Sequence, residues 1–63
     1  MNNDPNNKSN QRRLARVEKR GTDATKRALA DGILPIYVAA DIARQSPYIQ
    51  DRDVAWIRRQ LQK

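Results

Sequence analysis

The chain has no cysteine and no histidine in 63 residues. Without thiolate or imidazole ligands, a zinc site and a disulfide framework are both excluded. The same absence removes the commonest general base and the best nucleophile, so we expect no enzyme. There are only two glycines and no glycine-rich phosphate loop. The seven carboxylates fall mostly at helix ends, where capping accounts for them. No metal and no cofactor are expected. No apolar run approaches the roughly 20 residues needed to span a bilayer, and no signal-peptide core is visible. With the lack of cysteine, this gives the expectation of a soluble, cytoplasmic protein.

What is present is positive charge. Thirteen Lys/Arg against seven Asp/Glu give a net charge of +6 and a pI of about 10.6. Its distribution is uneven. Residues 8–27 hold eight Lys/Arg against Glu18 and Asp23, whereas residues 28–57 hold Arg44 and Arg52 against Asp31, Asp41, Asp51 and Asp53. Segregated cations raise the expectation of nucleic acid, or of an acidic protein surface, as the partner.

Helical periodicity organises the chain into one small domain over residues 11–63 behind an Asn-rich tail. The tail, residues 1–10, has no apolar residue after Met1 and is expected to be disordered. A first helix is expected over 11–30, capped by Ser9 or Asn10. With Leu14 placed at 0°, Val17, Gly21, Ala24 and Ala28 fall at about 280–340°, and Arg12, Arg13, Arg16, Lys19, Arg20, Lys26 and Arg27 at about 120–260°. Gly21 costs about 1 kcal/mol relative to Ala inside a helix and marks a point of kinking or breakage. Gly32 suits the C′ position of a helix end.

A second helix is expected over 35–45, with Pro35 at the first helical position and a wide apolar arc suited to a central helix. Ser46 to Gln50 reads as the turn, with Tyr48 and Ile49 packing back on the core. The third helix is expected over 51–62, opened by Asp51. The fold class is all-α: a small three-helix domain whose second and third helices are helix-turn-helix-like. The expected core is Leu14, Val17, Leu29, Ile33, Leu34, Val38, Ile42, Ile49, Val54, Ile57 and Leu61. It is thin for one chain, so association as a homodimer or with a partner would add to its stability.

The one tryptophan carries the sharpest signal. Val54, Ile57 and Leu61 share an apolar face of the third helix, and Trp56 points away from it, with Arg52, Arg59 and Lys63 at i−4, i+3 and i+7. Trp can stack on a base, and the cations can reach phosphates or guanine. The competing reading buries Trp56 under the first helix or in a self-association interface, as tryptophans usually are.

The leading expectation is a small basic DNA-binding transcriptional regulator, DNA being favoured over RNA. Arg12, Arg13, Arg16, Lys19, Arg20 and Arg27 would meet phosphates, and Arg52, Trp56, Arg59 and Lys63 would make closer contact. Against a reading helix stand Asp51 and Asp53 at the end that should approach DNA, and a turn longer than three or four residues. The alternative is a protein–protein interaction module of phage or plasmid type, an adaptor or inhibitor of a larger protein, since Trp and Arg are also favoured anchors of protein interfaces. A membrane surface is disfavoured because the apolar side of the first helix has no aromatic residue.

Overall fold

The structure, a computed structural model, describes residues 7–62. Among them the only regular elements are four helices: α1 (Lys8–Arg20), α2 (Asp23–Ala30), α3 (Ile36–Ala43) and α4 (Pro47–Leu61). The all-α class is as expected, and each helix boundary has a local cause.

α1 starts earlier than periodicity indicates. Asn7, not Ser9 or Asn10, is the N-cap: its Oδ1 accepts from the backbone N–H of Ser9 at 2.9 Å and of Asn10 at 3.4 Å. Asparagine is among the strongest capping residues, so the Asn-rich composition that suggested disorder itself starts the helix. Asn10 is buried, and its Oδ1 accepts from Arg13 Nη1 at 2.9 Å. The expected tail therefore ends before Asn7, and its residues 1–6 lie outside those described.

The expected first helix is two helices, broken at Gly21-Thr22. Gly21 is extended, at φ −71° and ψ 140°, and its N–H still donates to Val17 O at 2.8 Å. A Cβ on Gly21 would fall 2.5 Å from that same oxygen and 3.1 Å from Val17 Cγ1. The close approach requires glycine. Thr22 then caps α2, its Oγ1 accepting from Thr25 N at 3.3 Å. Gly32 ends α2 at C′ as expected, with φ +77°. Ile33 N donates to Ala28 O at 3.0 Å and Gly32 N to Leu29 O at 3.1 Å, the paired bonds of a Schellman ending.

α3 is the central helix. It packs against α1, α2 and α4, and α2 also packs against α4, so α2, α3 and α4 form a three-helix unit with α1 laid across α3. Pro35 is its N-cap rather than its first residue. α4 departs most from expectation. It begins at Pro47, not Asp51, because proline at the first helical position loses no hydrogen bond, and the residue before it, Ser46, is held extended at ψ 155°. The α3–α4 turn is thus Arg44–Ser46, three residues long, in place of Ser46–Gln50.

The apolar core is small and rich in alanine: Val17, Ala28, Leu34, Ile36, Ala39, Ala40, Ile42, Ala43 and Val54 are buried. Ala24, Leu29, Ile33, Val38 and Ile57 pack partly buried against it. Leu14 and Ile49 are half-buried. Leu61 and Tyr48, expected inside, are 64% and 74% exposed. Leu61 is the last residue of α4, with no further turn to cover it, and Tyr48 faces outward once α4 starts at Pro47.

The largest fully buried side chain is polar. Gln50 projects from α4 into the junction of the other three helices. Its Oε1 accepts from Thr22 N at 2.8 Å and Thr25 Oγ1 at 3.0 Å, and its Nε2 donates to Arg20 O and Gln45 O, each at 2.9 Å, with Ala43 O at 3.4 Å. One amide therefore satisfies the backbone groups freed where α1 breaks and where α3 ends. Among the described residues no buried side-chain N or O atom lacks a partner.

Candidate nucleic-acid interface

α1 presents the basic face. Val17 and Asn10 are buried on one side, and Arg12, Arg16, Lys19 and Arg20 are exposed. Arg13 sits at the edge, half-buried and held by Asn10. Arg27 is exposed on α2, beyond the break, and Lys26 is half-buried beside it. Among the described residues the ion pairs are Arg58 Nη2 to Asp31 Oδ2 at 3.1 Å and Arg52 Nε to Asp53 Oδ1 at 3.8 Å. None involves the α1 cations, so their charge is not neutralised within the described fold.

The second group lies on α4. Starting the helix at Pro47 places Tyr48, Arg52, Ala55 and Arg59 within about 60° of arc. All four are exposed. This stripe, with Tyr48 at its head, is missed when residues 46–50 are read as a turn; Ser-Pro with proline at a helix start is the signal that would have revealed it. Asp51 and Asp53 lie inside the helix, on either side of the stripe, not at its leading end.

Trp56 belongs only in part to this group. It is 60% exposed, so it is neither core nor covered by α1. It stands at the margin of the stripe and lines a shallow groove of about 260 Å³ with Val38 and Ile42 of α3 and Asp53 and Ile57 of α4. A second groove, about 340 Å³, runs between α1 and α2, lined by Leu14, Val17, Leu29, Ala30, Glu18 and Lys26 among others.

The predicted contact residues are thus distributed over three helices. Arg12, Arg16, Lys19 and Arg20 share α1; Arg52 and Arg59 share α4; Arg27 is on α2; Lys63 lies outside the described residues. α1 makes no close backbone approach to α4. No described helix is long and apolar enough to cross a membrane. The chain matches no protein-family model, no curated protein and no solved structure.

Proposed function

We propose that this chain is a small basic nucleic-acid-binding protein that acts on duplex DNA as a transcriptional regulator. The observation that carries the reading is the face of α1: five exposed cations, Lys8, Arg12, Arg16, Lys19 and Arg20, with no carboxylate in ion-pair range among the described residues. An unneutralised row of this kind is suited to phosphates, which release counterions when it binds. Arg27 extends the charge along α2.

α4 is the element offered to the bases. A three-residue turn joins it to α3, within the usual length for a helix-turn-helix, and its outward stripe carries Tyr48, Arg52 and Arg59. Arginine can pair bidentately with guanine in the major groove of B-DNA, which admits a helix, whereas the deep, narrow major groove of A-form RNA does not. This favours duplex DNA. Cytoplasmic localisation accompanies the proposal.

The test is fluorescence anisotropy of a labelled DNA duplex, an RNA duplex and a single strand, titrated with the protein at low and at high salt. The reading expects the DNA duplex to bind best and its affinity to fall by orders of magnitude as salt rises. No binding at low salt, or affinity indifferent to salt, overturns it. A second reading, a protein-interaction module, is favoured by one observation: Trp56 stands exposed beside an apolar groove.

A further inference from the structure

We infer that the Trp56 groove is a self-association surface, occupied by the same face of a second copy of this chain around a two-fold axis. The inference starts from where the apolar residues are. Four of the nine buried apolar residues are alanines, while Trp56, the largest apolar side chain in the protein, is left 60% exposed. A core this thin gains from burying more apolar surface between copies. Trp56 does not stand alone: Val38, Ile42 and Ile57 continue its apolar surface across the α3–α4 junction. Tryptophan is among the residues enriched as anchors in protein interfaces.

Charge selects the occupant. Asp53 lines the groove, and exposed Asp41 stands one turn after Val38 on α3. Arg52 and Arg59 flank Trp56 on α4 and are exposed. Two acids and two bases make a rim of no net charge. A two-fold axis sets each residue of a patch against a different residue of the same patch, so such a rim can place unlike charges opposite one another. The Arg52–Asp53 pair, at 3.8 Å between side chains 61% and 40% exposed, is loose enough to exchange partners. Elsewhere self-contact is less favoured. The α1 face would set cation against cation, and the α1–α2 groove, with Glu18 and Lys26 as its charged lining, has no aromatic anchor. On a chain of net charge +6, the α3–α4 surface combines an exposed tryptophan with a balanced rim, so a second copy is not repelled there.

The proposal does not rest on nucleic-acid binding: it places Arg52 and Arg59 at the rim between copies, where a second copy and DNA bases would compete for them, and self-association is measured first without nucleic acid. Sedimentation equilibrium of the full chain, from micromolar to millimolar, should show a monomer–dimer equilibrium, and Trp56 emission should shift to the blue as the dimer fills. Trp56→Ala should weaken the dimer by about tenfold or more, with far-UV circular dichroism unchanged. Asp53→Lys, which unbalances the rim without touching the indole, should weaken it as well. A chain that stays monomeric to millimolar concentration overturns the inference. So does a dimer whose formation leaves Trp56 emission unmoved, a result that needs no variant and stands even if Trp56→Ala fails to fold. Emission that shifts with added DNA, from a protein that never self-associates, overturns it in favour of Trp56 as a nucleic-acid contact.

Discussion

Gln50 and Trp56 lie six residues apart on α4, and each sits where the other would be expected. The amide is 1% exposed and the indole 60%. Gln50 stands at a joint where three chain segments end or turn, each leaving backbone groups unpaired, and its one side chain answers three of them, and the Thr25 hydroxyl, within 3.0 Å. Trp56, about 120° further round the helix, faces an open groove. The contrast shows how this small domain is held together. Backbone breaks at Gly21 and at Arg44–Ser46 must be satisfied internally, and a polar joint does that where apolar packing cannot. The apolar surface left over is then available at the outside.

The sharpest way to break the joint is Gln50→Leu, which keeps bulk and removes every bond. The buried Thr25 hydroxyl and the part-buried Thr22 N–H, Arg20 O and Gln45 O would lose this partner. Buried groups left unpaired cost about 1–3 kcal/mol each. We expect a loss of about 3 kcal/mol or more in chemical denaturation, a large share of the stability of a domain this size. A melting curve indistinguishable from wild type would mean the joint is not structural.

Gly21→Ala attacks the same joint from the chain side. Its Cβ meets Val17 O at 2.5 Å, so α1 must shift its last turn. Overpacking of this kind costs about 1–3 kcal/mol, and each kilocalorie lowers the melting temperature of a small domain by about 4–8 °C. Alanine tolerated without a shift would show that α1 and α2 can join as one helix. Trp56→Ala sharpens the comparison from the other side. Measured at concentrations too low for self-association, it should change stability by no more than about 0.5 kcal/mol, the usual range for surface substitutions. A loss comparable to that of Gln50→Leu would make Trp56 a core residue.

These contrasts also mark what the sequence makes legible. The helical class, the wide apolar arc of the central helix, the Gly32 ending, the break point at Gly21 and the outward turn of Trp56 all follow from spacing and residue type. What periodicity misses is set by capping and by tertiary contact. Asn7 extends α1 into a stretch that composition marks as disordered. Reading Ser46 to Gln50 as a turn overlooks that Pro47, before a helical run, starts a helix as readily as proline ends one. With Pro47 as its first residue, α4 begins four residues before Asp51 and takes in both Tyr48 and Gln50. The burial of Gln50 could not have been read locally, since its partners lie 5 to 30 positions away.

The central claim is that the α1 cations are phosphate contacts and not merely a solvated face. It is tested most directly by the salt dependence of duplex DNA binding, compared between the wild-type chain and the double variant Arg12→Ala/Arg16→Ala. Each lost phosphate contact should lower the magnitude of the slope of log affinity against log salt by about 0.9, so the variant should bind more weakly with a slope smaller by about 1.8. An unchanged slope, with affinity also unchanged, would contradict the account and leave α1 as a solvated face.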